Sequence, residues 1–346
     1  MEIPDGLRSE SGQESQTSEE VKLNEGIVAS ELSLDAVGVK LNVYTSPKFK
    51  DGDCETIFIW PGLGAAGSDD PGARKLANLL DDGSGHEESG VRIVYIDTGS
   101  YNPLDDKCTE PMEDYAQKVM GHMRDALWPN NNSSVEGEER NYPWVTHVGH
   151  SIGAVMAVHA LENNLNKEGG GDRLVSVAGA LFPESKKTGL SRRIEQSLIA
   201  GQLGIEGVQA AIDNPDQKSG PSIRRLVGKI TLGIVRAAGS LTTAGKARGL
   251  EKVFNELSGG VDPSLIADKG IRSCAIIAGT EDSVAQPKFA AGLIMGVRRK
   301  LDRGSDRQKS MRISNYAIPR DHGPFSDDIV IKAVSMALMG EEASPS

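Results

Sequence analysis

Residues 144–165 read WVTHVGHSIGAVMAVHALENNL, and the change of texture around Ser151 decides the architecture. The opening WVTHVG is a short apolar run of strand composition, while the residues after Ser151 have helical composition, with Gly149 and Gly153 marking the change. A strand that passes into a helix through one tight turn is the repeating unit of a parallel sheet. Further short apolar runs lie on either side: TIFIW (56–60), VRIVYI (91–96), LVSVAGAL (174–181), SCAIIAG (273–279) and MRISNYAI (311–318). Helical stretches separate most of them, namely ARKLANLL, EPMEDYAQKVMGHMRDALW, the segment after Ser151 through Leu165, and PKFAAGLIMGVRRKL. Nearly continuous apolar strands alternating with helices predict an α/β fold with a mostly parallel central sheet covered on both faces. From Gly26 to Pro47 the alternation has period two on both sides of Asp35–Gly38, which predicts two antiparallel strands at the front of the sheet.

The ends and one insertion depart from this rhythm. Residues 1–24 are rich in Ser, Glu, Gln and Gly and hold few apolar side chains, which predicts a disordered tail. Residues 185–264 contain no strand pattern but two helix-like, glycine-containing stretches, which predicts a helical cap inserted before the last two strands. The core is then 25–184 together with 265–346. Residues 185–250 carry 11 Lys and Arg against 4 Asp and Glu, so a basic cap rides on an acidic body in a chain of 346 residues and net charge −11. That balance argues against nucleic acid as a main partner. Three widely spaced cysteines, Cys54, Cys108 and Cys274, suggest neither a disulfide framework nor a zinc site. With no signal-like start and no long apolar run, the expectation is a cytoplasmic protein.

Gly149-His150-Ser151-Ile152-Gly153 matches G-x-S-x-G, the nucleophile elbow, in the strand-to-helix context that the motif requires. A serine hydroxyl is a weak nucleophile until a base takes its proton. Among six histidines, His322 follows the final strand, where a loop overhangs the carboxyl edge of the sheet and ligands bind in open α/β folds. His147, His150 and His159 fall in the strand, the elbow and the helix, and His86 and His122 read as surface residues. The base needs a carboxylate to hold its tautomer. Asp282, directly after SCAIIAG, is the chosen acid, with Glu281 beside it and Glu184 after the preceding strand as alternatives. Two backbone amides are needed for the oxyanion: Ile152 supplies one, and Leu63 in the turn Pro61-Gly62-Leu63-Gly64 the other.

Together GHSIG, PGLG, GTEDSVAQP and DHGP resemble the α/β-hydrolase superfamily over residues 56–325. The resemblance implies the α/β-hydrolase fold, a Ser151–Asp282–His322 triad, a substrate-covering cap between the sixth and seventh strands, and no cofactor or metal. It departs from the family pattern in having Pro61-Gly62 at the oxyanion turn and only Asp97-Thr98-Gly99-Ser100 after the next strand. The implied activity is hydrolysis of a small acyl ester, carboxylesterase-like or lipase-like, with a thioesterase acting on an anionic acyl carrier as the alternative. The basic cap would then touch the carrier or a lipid surface. Two other readings compete. GLGAAG at 62–67 matches a dinucleotide-binding G-x-G-x-x-G with Asp97 as the ribose acid, although Asp97 lies 30 residues beyond Gly67 where about 20 is expected, and the aspartates at 69 and 70 would repel a phosphate. The same fold also serves as a non-catalytic binding module.

Overall fold

The computed structural model describes residues 21–50, 54–62, 70–81, 90–98, 110–129, 143–162, 171–179, 261–282, 285, 287–320 and 324–340. Eight strands and seven helices follow in the order β1 (Val28–Leu34), β2 (Val39–Thr45), β3 (Glu55–Trp60), α1 (Asp70–Asp81), β4 (Val91–Asp97), α2 (Met112–Leu127), β5 (Val145–His150), α3 (Gly153–Ala160), β6 (Arg173–Val177), α4 (Ser264–Ala267), β7 (Ser273–Gly279), α5 (Pro287–Leu301), α6 (Asp306–Lys309), β8 (Arg312–Ile318) and α7 (Asp328–Met339). Among the described residues, one sheet holds all eight strands in the order β1-β2-β4-β3-β5-β6-β7-β8. β1 pairs antiparallel with β2, and β2 with β4; every later pairing is parallel.

Burial follows position in the sheet. Central β5 is buried at all six residues, whereas edge strand β1 is mostly exposed. Central strands are covered on both faces, so they must be apolar throughout. α2, α3, α4 and α5 cover one face, packing Val119, Met123, Val158 and Leu293 over Phe58, Trp60 and Ile276. α1 and α7 cover the other, where Leu76, Val330 and Val334 pack over Ile57, Ile59 and Val175. Among the described residues, no helix is long and apolar enough to cross a membrane.

The expected hairpin and the fold class are both present. Several boundaries differ. The end of the expected 1–24 tail packs on the domain, because Asn24 donates from its amide to Asn78 Oδ1 and from Nδ2 to the Asn78 carbonyl on α1, and Asn78 Nδ2 donates to the Lys22 carbonyl. β6 stops at Val177 instead of continuing to 181: Ala178 turns to φ 43° and its amide donates to Ile277 O, so an apolar run outlasts the extended backbone. α3 ends at Ala160, where Leu161 becomes extended (ψ 130°), and not at Leu165. α7 was not among the expected helices, although Asp327 accepts from Ile329 N at 2.9 Å as its N-cap and Gly340 closes it at φ 70°. Val261, expected in the cap, is buried in the core at 3% exposure. Of the cap (185–264), residues 185–260 lie outside the described residues.

A polar chain runs beneath β3 and β5. Trp60 Nε1 donates to His147 Nδ1 at 3.2 Å, and His147 Nε2 lies 3.8 Å from Asp172 Oδ2. Arg124 Nη2 is 3.7 Å from the same oxygen, and Arg124 also pairs with Glu162. Asp172, His147 and Arg124 are each no more than 2% exposed. Burial alone would raise the Asp172 carboxyl, but the His147 ring, Arg124 and the Val145 amide outweigh it and hold the group below its ordinary value. Its stabilisation is therefore fully present above the unfolded-state value and is lost as pH falls through the folded one. Removing one partner strands the others without solvent, so Asp172→Ala is expected to destabilise the protein by about 3–5 kcal/mol in urea unfolding at neutral pH. The gap from wild type should narrow as acid protonates the native carboxylate.

Candidate functional site

The switch point of the sheet lies between β3 and β5. The chain leaves β3 toward β4 on one side and then crosses back to β5 on the other. Connections that diverge in this way open a crevice at the carboxyl ends of the two strands. The loops after β3 and β5 meet there. A Cβ built on Gly62 would lie 3.0 Å from His150 Nδ1 and 3.4 Å from Ser151 Cβ.

Ser151 occupies the turn between β5 and α3 with φ 52°, in the left-handed region. That conformation costs a residue with a side chain about 1–2 kcal/mol. Glycine is the usual occupant, so a serine there needs surroundings that over-determine it. Ser151 N donates to Val177 O at 3.0 Å, and Ser151 O accepts from Ala154 N at 3.1 Å. Gly149 and Gly153 complete the clamp. A Cβ at 149 would lie 2.4 Å from Ala154 Cα, and one at 153 only 2.2 Å from Trp60 O. Those neighbours are backbone atoms and cannot swing aside, so both glycines are steric requirements of the elbow. Ile152 (φ −62°, ψ −29°) starts α3, with its side chain buried and its amide in the first turn, where helical N–H groups lack intrahelical acceptors.

The acid candidates separate by burial. Glu281 is exposed, whereas Asp282 is 3% exposed and its Oδ1 accepts from Ala285 N at 2.7 Å. Beyond the strands, Thr280 N donates to Ile318 O and Glu281 N to Arg320 O, which carries the β7–β8 pairing to the carboxyl edge. His322, Leu63 and Glu184 lie outside the described residues. The described residues flanking position 322 lead towards Asp282 on one side and Ser151 on the other. Arg320 bonds to the residue before Asp282, while fully buried Phe325 has its ring centroid 6.0 Å from that of His150, next to Ser151.

The remaining described histidines have other surroundings. His147 is part of the polar chain beneath the sheet. Burial holds His159 below its ordinary value. His150 packs between the Gly62 turn and Phe325. Of the rival glycine motif only Gly62 is described, and α1 begins at Asp70, at the end of the turn that follows it. Asp70 accepts from Asn42 Nδ2 at 3.0 Å, from the Tyr44 hydroxyl and from Arg74 at 2.9 Å. Burial and then Asp70 push the Tyr44 phenol up, so it stays a donor. A buried carboxylate fixed at the start of α1 repels a phosphate there, which removes the physical basis for a pyrophosphate cradle. This cluster escaped the reading of the sequence because its members come from two elements, although Asp70-Pro71 marks the helix start.

Two variants test the clamp. Ser151→Gly should be more stable than Ser151→Ala by up to about 1 kcal/mol, since relief of the left-handed strain exceeds the added unfolded-state entropy of glycine. Gly153→Ala should lower the thermal midpoint and activity together. Equal midpoints for the two Ser151 variants would show that the turn is unstrained.

No family model matches the sequence, and no curated protein does. Similar solved structures exist. The peroxisomal alpha-beta-hydrolase Lpx1 from Saccharomyces cerevisiae has 11% identity and a TM-score of 0.50, with 92% of this chain and 88% of that one covered. An esterase from Exiguobacterium antarcticum has 13% identity and a TM-score of 0.47, covering 90% and 98%. A thioesterase domain from the curacin biosynthetic pathway has 10% identity and a TM-score of 0.43, covering 90% and 99%. At such identities the likeness is one of fold, and with the strand order and flanking helices it establishes that this chain has the α/β-hydrolase fold.

Proposed function

We propose that the protein is a serine hydrolase that cleaves a small acyl ester or thioester through an acyl-enzyme intermediate. The observation that carries this reading is Ser151 held at φ 52° between two glycines whose Cβ positions are blocked by backbone. A strained serine at the sheet's switch point has no evident structural purpose, since glycine would fill the turn at lower cost.

In this reading Ser151 Oγ attacks the acyl carbonyl carbon while His322 takes the hydroxyl proton. Asp282, buried beside the carboxyl edge, holds the imidazole's tautomer and stabilises the imidazolium. The amides of Ile152 and Leu63 donate to the oxyanion of the tetrahedral intermediate. Collapse breaks the bond to the alcohol or thiol, which leaves with the proton from His322. Water then attacks the acyl-enzyme and gives its proton to His322, and a second collapse releases the acid and returns the proton to Ser151 Oγ. Every step is a proton or acyl transfer, so the scheme balances with water alone.

Ester over thioester follows the order reached from the sequence. A chain-length series of p-nitrophenyl esters beside acyl thioesters would rank them directly. A fluorophosphonate probe is expected to label the wild-type protein and not Ser151→Ala, and absence of wild-type labelling would overturn the proposal. Asp282→Asn is expected to reduce kcat by about 10⁴-fold, the scale for a triad acid that sets the tautomer. Glu281→Gln should leave kcat within a few-fold of wild type, and the reverse pattern would move the acid to Glu281.

A further inference from the structure

The end of α5, the α6 turn and the start of β8 concentrate cations that the proposed chemistry does not use. Residues 298–312 contain seven Lys and Arg against two Asp, a net +5 that leaves −16 on the rest of the chain. Arg298, Arg299, Lys300, Arg303, Lys309 and Arg312 are all exposed. Among the described residues, no carboxylate pairs with Arg298, Arg299, Arg303 or Arg312. Asp302 and Asp268 are the nearby acids, and Lys300 acts on Asp262. A shallow, mostly polar cavity of about 250 Å³ opens among these side chains, lined by Arg298, Leu301, Asp302, Lys309, Met311 and Ile313. Met295, three and four residues before Arg298 and Arg299 and so on the same helix face, is 54% exposed.

We propose that this pole of the molecule docks on an anionic phospholipid surface. Unpaired guanidinium groups present planar forks that match phosphate oxygens, and arginine is favoured for that task. An exposed apolar side chain among cations is the arrangement by which a helix lies at a headgroup boundary. Exposed Met295 beside the cations favours a bilayer over a polynucleotide, because an apolar side chain gains by leaving water at the headgroup boundary and has no counterpart on a phosphate backbone. The docking surface lies at the amino-terminal edge of the sheet, where Arg312 pairs with Ser273 in register, away from Ser151 and Asp282. It therefore stands or falls independently of the hydrolase reading.

Vesicle co-sedimentation of the full chain tests it, using phosphatidylcholine vesicles with and without phosphatidate at physiological salt. Wild type is expected to bind only the phosphatidate vesicles, and to lose binding as salt rises. The triple variant R298E/R299E/R303E is expected to partition at least tenfold more weakly, since each cation near an anionic surface contributes roughly fivefold. Its thermal midpoint and fluorophosphonate labelling should match wild type. Should the reversals impair folding, R298A/R299A/R303A serves in their place and is expected to weaken binding in the same direction. The proposal is overturned if wild type ignores phosphatidate, if the triple variant binds equally, or if a polynucleotide is bound in preference to vesicles. Loss of binding only on reversing Arg192, Arg193, Arg224 and Arg225 would equally overturn it, by moving the contact to the basic insert.

Discussion

Three backbone segments converge within van der Waals contact at the carboxyl end of β5, and the architecture of the site follows from that contact. The carbonyls of Trp60 and Pro61 press against Gly153, and Ala154 presses against Gly149. With no Cβ at either glycine, α3 starts immediately above the end of β3, and the residue between them is forced through a left-handed turn. Ser151 is that residue. Its conformation is a consequence of close packing among β3, β5 and α3, so the positions of the serine, the Ile152 amide and the Gly62 turn are set by one geometric constraint.

A constraint of this kind holds only if the strands beneath it do not yield. The indole of Trp60, whose carbonyl presses on Gly153, is tied to His147 two residues into β5 from Gly149. Because an indole N–H can only donate, His147 Nδ1 must be the acceptor and its proton must lie on Nε2, toward Asp172. Asp172 in turn accepts from Val145 N and its carbonyl from Arg272 N, which joins the bottom of β5 to the approach to β7. An apolar replacement of matched shape would give at least equal stability on general grounds. The polar chain instead fixes one relative placement of β3, β5 and α2, the placement on which the elbow depends.

Much of this architecture was legible in the sequence because the physics that determines it is local. Central strands are buried on both faces and so are apolar throughout, and the elbow glycines stand two residues either side of Ser151 because the turn is that short. Asp282 stands just past the carboxyl end of β7, where the apolar run SCAIIAG ends. What escaped was decided by contacts between distant segments. The run after Val177 stays apolar, but Ala178 turns to φ 43° just after its last ladder bond to Ile277 O, and the extended backbone ends there. Leu161 leaves the helix where Glu162 meets Arg124, 38 residues earlier. α7 is a different case, because Asp327 and Gly340 mark both its ends in the sequence.

The same strand directions separate two chemistries along the molecule. β7 and β8 run parallel, and α5 returns between them, so the last turn of α5 and Arg312 arrive at the edge opposite Asp282. Seven residues of strand, roughly 23 Å at 3.3 Å each, intervene. At that separation, beyond a Debye length of about 8 Å, the cationic pole and Asp282 do not perturb each other. If the basic pole lies against a membrane, the crevice between β3 and β5 opens away from it. Under the proposed hydrolase reading, substrate would then reach Ser151 from the aqueous side, which favours a diffusible acyl ester or thioester over a lipid drawn from the plane of the bilayer.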